Sequence, residues 1–139
     1  MREELEAIAR TWISPWCVPV DCDLFDVLHA DAFCDGSSAG RSIDKQGFAD
    51  GLAVLVSAFP DLQTVTNDVL IDVDRSRVAV RWTATGTNRA KYVGVGPTNR
   101  VTTFTGIEIV EIRDGRIVKR WGEWDATEHV EEGCDASDG

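Results

Sequence analysis

The ionisable residues best placed to do chemistry in this chain stand on two strand-like runs between Val101 and Asp125. The runs flank Arg113-Asp114-Gly115, and the second ends in Trp121-Gly122-Glu123-Trp124-Asp125. Strand side chains alternate between faces, so a carboxylate set among aromatic residues either escapes to solvent or enters a lined hollow. In a hollow, desolvation favours the protonated acid and moves its titration toward the range where proton transfer works. Glu108 is the first candidate for such an acid or base, with Arg120 as its orienter or as a stabiliser of an oxyanion. The plainer alternative is an ion pair between the same two residues across neighbouring strands. Asp125 is a second candidate acid if it reaches the mouth of the hollow, although a terminal Asp also caps turns or meets solvent. Trp82, Phe104 and Trp124 are candidate walls and Trp16 a candidate end piece, because indole rings supply flat apolar surface with one donor each.

The elements that must position these residues follow from periodicity. Leu5, Ile8, Ala9, Trp12 and Ile13 recur at helical spacing behind Glu3-Glu4, acidic residues that suit the positive end of a helix. Pro15 and Pro19 end that helix, and Asp21 or Asp23 caps a short second one through Leu24, Phe25 and Leu28. Cys34 to Gly40 reads as a loop. Asp44 is an N-cap for a third helix with Phe48, Leu52, Leu55 and Phe59 on one face, ended by Pro60-Asp61. The period then becomes alternating, with strands around 62–72, 77–86, 101–112 and 116–125. Helices followed by an antiparallel meander predict an α+β fold whose helices cover one face of a curved sheet.

A chain of 139 residues with 43% hydrophobic content fits one domain, expected over 1–130, with an acidic and flexible tail over 131–139. The formal net charge of −10 argues against nucleic acid or an anionic membrane surface as partner, since both need a basic footprint. The start, Met1-Arg2-Glu3-Glu4-Leu5, lacks a signal-peptide pattern and no segment approaches a bilayer-spanning length, so a cytoplasmic location is expected. Cys17, Cys22, Cys34 and Cys134 are then expected as reduced thiols. Cys17, Cys22, His29 and Cys34 lie close in sequence but lack a Cys-x-x-Cys element, and no metal is predicted.

Three stretches resemble the SnoaL-like polyketide cyclase family, within the larger group that includes nuclear transport factor 2 and ketosteroid isomerase. They are Ala58-Phe59-Pro60-Asp61-Leu62, the run Val78-Ala79-Val80-Arg81-Trp82-Thr83-Ala84-Thr85-Gly86-Thr87, and Gly94-Val95-Gly96-Pro97-Thr98 continuing through Gly106-Ile107-Glu108-Ile109 to Trp121. The resemblance implies a cone-shaped α+β barrel, with N-terminal helices on a curved antiparallel sheet enclosing an apolar cavity. It also implies ring closure by intramolecular aldol condensation without metal or organic cofactor. In such cyclases an acid follows the first tryptophan of the last strand, and a histidine on the preceding strand helps bind substrate. Carried onto this chain, the acid position falls on Gly122 and the histidine position on Glu108. Gly122 cannot transfer a proton, whereas Glu108 keeps an ionisable group in the implied pocket.

The hairpin register decides which carboxylates face that pocket, because a shift of one residue exchanges the faces of a strand. A two-residue turn at Asp114-Gly115 sets Glu108 opposite Trp121 and Gly106 opposite Glu123, with Glu123 and Asp125 on the Glu108 face. A three-residue loop sets Glu108 opposite Arg120, Phe104 opposite Trp124, and Gly106 opposite Gly122, which leaves a gap in the wall. The three-residue loop is preferred because it alone places 108 and 122 on one face, as the resemblance requires. Thr105, Ile107, Ile109 and Trp121 then form an outer apolar surface, for which a homodimer is the expected cover. The resulting expectation is a cofactor-independent cyclase or isomerase acting on a hydrophobic, carbonyl-containing small molecule by acid–base chemistry. The alternatives are a non-catalytic binder of a hydrophobic ligand, and an epoxide-hydrolase-like enzyme in which Glu108 or Asp125 activates water.

Overall fold

Helix α1 spans Arg2–Ile13 and buries Leu5, Ala9, Trp12 and Ile13, the stripe its periodicity predicts. The computed structural model describes residues 1–13, 16, 20–93 and 96–129. Pro15, Pro19, Cys17, Cys134 and the tail expected over 131–139 lie outside the described residues. Helix α2 spans Cys22–Leu28; its N-cap is Asp21, whose side chain accepts a hydrogen bond from the Leu24 amide at 3.0 Å. Helix α3 spans Lys45–Ala58, capped by Asp44 through the Gly47 amide at 2.9 Å, and buries Phe48 and Leu52 against the sheet.

Five strands follow the order β1-β5-β4-β3-β2, with β1 at His29–Asp35, β2 at Gln63–Asp72, β3 at Arg77–Thr87, β4 at Val101–Arg113 and β5 at Arg116–His129. Strands β2 to β5 form the expected antiparallel meander. Strand β1 is absent from the sequence-based expectation, and it pairs with β5 in parallel, so the sheet is mixed rather than wholly antiparallel. The five strands run from edge β1 to edge β2 without closing, which makes an open cone wall rather than a complete barrel. The inward positions of β1 are His29, Phe33 and Asp35, two of them polar. Polar residues at buried positions erase the alternation by which strands are recognised.

The β4–β5 hairpin departs from both expected registers. Asp114 and Gly115 have φ of 52° and 76° and form a two-residue turn with Arg113 opposite Arg116. Ile112 then pairs with Ile117 but Glu111 with Lys119, so Val118 is an extra residue, a β-bulge. Beyond it Glu108 lies opposite Gly122 rather than Arg120 or Trp121, and Gly106 opposite Trp124 rather than Gly122 or Glu123. Phe104 faces Ala126, not Trp124. The bulge restores the face assignment of the three-residue loop by another route: Glu108, Arg120, Gly122 and Trp124 all project inward. The predicted gap at paired glycines does not exist, because each glycine accommodates a larger group. A Cβ on Gly106 would approach Trp82 Cε2 at 2.7 Å, and one on Gly122 would collide with Glu108 Oε1 and Arg120 Nη2.

Between helices and sheet lies an aromatic core. Trp12, Trp16, Phe25, His29, Phe33 and Phe48 are all buried and pack through ring contacts, among them Trp12–Trp16 with centroids 4.9 Å apart. His29 is neutral in this cluster: its Nε2 accepts from Trp12 Nε1 at 2.9 Å while its Nδ1 donates to the Phe25 carbonyl at 2.7 Å. On the outer face Ile107, Ile109, Val65 and Leu70 are exposed, and Trp121 lies between the cations of Arg77 and Lys119.

Candidate active site

Glu108 stands at the middle of β4, where two neighbouring strands and the helical layer remove it from water; it is 1% exposed. Its Oε1 accepts two hydrogen bonds from Arg120, from Nε at 2.9 Å and from Nη2 at 2.7 Å. Its Oε2 accepts a longer one from Trp82 Nε1, at 3.2 Å. Arg120 lies opposite Val110 and reaches diagonally back to Glu108, along the line that the side chain missing at Gly122 leaves open. The third nitrogen of its guanidinium, Nη1, donates to Asp35 Oδ1 at 2.8 Å, and the Phe48 ring lies under the plane with 4.9 Å from Cζ to the centroid.

Asp35, at the end of β1, has a fully buried side chain and is shared between two cations. Besides Arg120, it accepts from Arg41 Nη2 at 3.2 Å and from the Ser37 amide at 2.9 Å. Ser37 closes the circuit, its hydroxyl accepting from the Gly122 amide at 3.0 Å. Two carboxylates and two guanidiniums thus form one linked array beneath the α3 helix. Separating such a buried pair costs on the order of 3–5 kcal/mol when one partner is removed, because the other charge is left uncompensated. Burial pushes the Glu108 carboxyl above its ordinary range, opposed by the Arg120 charge and by the hydrogen bonds from Arg120 and Trp82.

The array forms one wall of a pocket of about 460 Å³. Trp16, Phe48, Trp82, Tyr92, Phe104 and Trp124 are its aromatic lining, beside aliphatic residues such as Leu52 and Leu55. Trp16 meets Trp82 with centroids 5.8 Å apart, and Phe104 meets Trp124 at 5.6 Å. Trp124, Val54 and Val93 are the large apolar lining residues that are exposed to solvent. A roomier groove of about 970 Å³ lies by the α1 start and the hairpin turns, but its residues are mainly polar, and Arg75, Arg77 and Arg113 there are each engaged by an acid. Volume alone does not make a site; the smaller pocket is the apolar one with convergent buried polar groups.

The structure therefore brings together Glu108, Arg120, Trp16, Trp82, Phe104 and Trp124. Asp125 does not join them. It pairs with Thr105 on the outer face, is exposed, and its carboxylate accepts from the Ala126 amide at 2.9 Å, a turn-like local contact. Glu123 lies on the same outer face, opposite Ile107. Sequence reasoning missed Asp35, Ser37, Arg41 and Tyr92. The signal for Asp35 was its spacing of two from Phe33, which on a strand puts both on one face; the assignment of Cys34 to Gly40 as loop concealed it. Among the described residues, no group of three or more His, Cys, Asp or Glu is placed to hold a metal ion, and Cys22 and Cys34 are free thiols. Among those residues, too, no helix is long and apolar enough to cross a membrane.

Three helices on an open, five-stranded wall define an α+β cone fold. The SnoaL-like polyketide cyclase model matches residues 7–131, and the chain belongs to that family. Among solved structures it is similar to AclR from Streptomyces galilaeus, a candidate hydroxylase, with TM-score 0.77 and 22% identity over 90% of this chain and 77% of that one. It is likewise similar to IdmH from Streptomyces antibioticus, a candidate polyketide cyclase, with TM-score 0.70 and 24% identity over 90% and 92%. TsrD from Streptomyces laurentii gives TM-score 0.79 and 17% identity, covering 90% of each chain. Identities this low establish the shared fold alone. No curated protein matches the chain.

Proposed function

We propose that this protein is a cofactor-independent cyclase or isomerase-type enzyme that moves a proton on an apolar, carbonyl-containing small molecule bound in the pocket. The observation that carries the reading is a carboxyl buried in the pocket wall, pushed toward its protonated form by desolvation and yet held by an arginine. Oε1 is taken by the two Arg120 donors, and Oε2, with one long bond from Trp82, is the less engaged oxygen and the one this reading assigns to substrate. In the ionised form Oε2 removes a proton from the carbon next to a carbonyl. The electron pair moves into that carbonyl as an enolate, whose carbon then bonds to a second carbonyl carbon. The alkoxide so formed takes the proton back from Glu108. Arg120 holds the carboxylate in position and offers positive charge near the developing oxyanion. Gly122 cannot serve as the acid; in this chain that position makes room for the Glu108–Arg120 pair.

A second reading, a non-catalytic binder of an apolar ligand, is favoured by one fact: Glu108, Arg120 and Asp35 already satisfy one another in the free protein. Exchange of the α-hydrogens of acetylnaphthalene in D2O, followed by NMR, separates the two. The enzyme reading expects accelerated exchange, lost by about 100-fold or more in Glu108→Gln, with quenching of tryptophan emission by the ketone retained. Undiminished exchange in that variant removes Glu108 from the chemistry; quenching without acceleration in the wild type favours the binder.

A further inference from the structure

The pocket contains two buried donors that the proton-transfer reading leaves unused. Trp16 Nε1 and Arg41 Nε are both buried without a hydrogen-bond partner among the described residues, and both residues line the pocket. Buried N–H groups are seldom left without acceptors, so two in one pocket call for acceptors that arrive with the ligand. Trp16 is only 8% exposed, its ring fixed by edge contacts to Trp12, Phe48 and Trp82. Arg41 is anchored at its far end by Asp35 and lies against Gly51 of α3, where an added Cβ would stand 2.7 Å from its Nε. A glycine inside a helix is disfavoured, and here it makes the channel that the Arg41 side chain occupies.

We propose that the pocket selects ligands bearing an anionic oxygen on an apolar frame, that Arg41 Nε–H is the donor that reads this oxygen, and that Trp16 Nε1–H holds a second acceptor of the same molecule. Charge points the same way: Arg41 brings a guanidinium to the pocket wall with its Nη2 on Asp35, which suits its Nε to an anionic oxygen such as a carboxylate or an enolate. This inference rests on the pocket being the ligand site but not on Glu108 being catalytic.

Binding of naphthoate and of its neutral analogue naphthamide, read by tryptophan quenching at pH 7.5, tests it. The wild type is expected to bind naphthoate at least about ten-fold more tightly, the usual worth of a hydrogen bond to a charged group. Arg41→Gln should abolish that preference, weakening naphthoate by about ten-fold or more and naphthamide by clearly less, and Trp16→Phe should weaken both probes several-fold by the loss of one neutral donor. Arg41→Lys keeps the positive charge beside Asp35 but lacks the Nε donor, and should retain only part of the preference. Equal affinity of the two probes for the wild type, or a preference that survives in Arg41→Gln, overturns the inference alone. If neither probe binds, the inference fails together with the assignment of the pocket.

Discussion

Replacing Gly122 by alanine adds one methyl group to a strand, a change that elsewhere in a sheet is neutral or mildly stabilising. At this position the methyl would collide with Glu108 Oε1 and Arg120 Nη2, which themselves lie 2.7 Å apart. Neither group has room to retreat, since Arg120 is also bound to Asp35 and stacked on Phe48, and Glu108 is bound to Trp82. Overpacking of this kind costs about 1–3 kcal/mol, and full loss of a buried partner about 3–5 kcal/mol. The pair is here stretched rather than deleted, so Gly122→Ala should destabilise by about 2–4 kcal/mol, or about 10 °C in Tm for a chain of this length. Urea unfolding of four proteins measures it: wild type, Gly122→Ala, Glu108→Ala and the double variant. In the Glu108→Ala background the clash with the carboxylate is gone and Arg120 loses the partner that draws it toward Gly122, so a coupling of about 1 kcal/mol or more should appear. A Gly122→Ala protein within about 0.5 kcal/mol of wild type, or additive effects in the cycle, would refute the account of why glycine occupies this position.

Burial lowers the His29 pKa from 6.5 to about 4, against the opposing hydrogen bond to the Phe25 carbonyl. Because the fold favours neutral imidazole, this contribution to stability is complete above about pH 6.5 and is lost as pH falls toward 4, about 3 kcal/mol in all. Urea unfolding of wild type and His29→Gln between pH 7.5 and 4.5 should show their stability difference shrinking with acidification; a constant difference contradicts the burial argument. We also propose that the exposed apolar face of Ile107, Ile109 and Leu70 is covered by a second copy of the chain. Light scattering at low micromolar concentration should give a dimer mass, and Ile109→Glu a monomer; a monomeric wild type removes this proposal. Asp125→Asn should leave ligand binding and exchange activity within about two-fold of wild type, because its carboxylate lies on the outer face and bonds its own next amide. A large loss in either would return Asp125 to the site.

The helices and the meander were legible because their buried positions are apolar: the stripe of Leu5, Ala9 and Trp12 and the alternation of Val78, Val80 and Trp82 announce their periods directly. Strand β1 was not legible for the converse reason. Its inward places hold His29 and Asp35, whose burial makes sense only with Trp12 and Arg120 beside them, contacts 17 and 85 residues away in sequence. The hairpin shows a subtler limit. Asp114-Gly115 signals its two-residue turn, but nothing about Val118 marks it as a bulge, and that one extra residue moves every partner beyond it. Glu108 and Trp124 share one face in both the expected and the observed hairpin because the bulge and the longer loop change parity alike. Arg41 was hidden in a Gly- and Ser-rich stretch whose composition signals a loop and carries no sign of which side chain folds back over α3.

The central claim, that Glu108 performs the proton transfer, meets its most direct test in the pH dependence of α-hydrogen exchange on acetylnaphthalene. As the base, Glu108 works only when ionised, so the rate should rise with pH through an inflection above the ordinary carboxylate value of 4.5, displaced upward by burial. Glu108→Gln should lack the inflection and lose the accelerated rate at every pH. An inflection that persists in Glu108→Gln, or a wild-type rate flat from pH 4 upward, would contradict the claim.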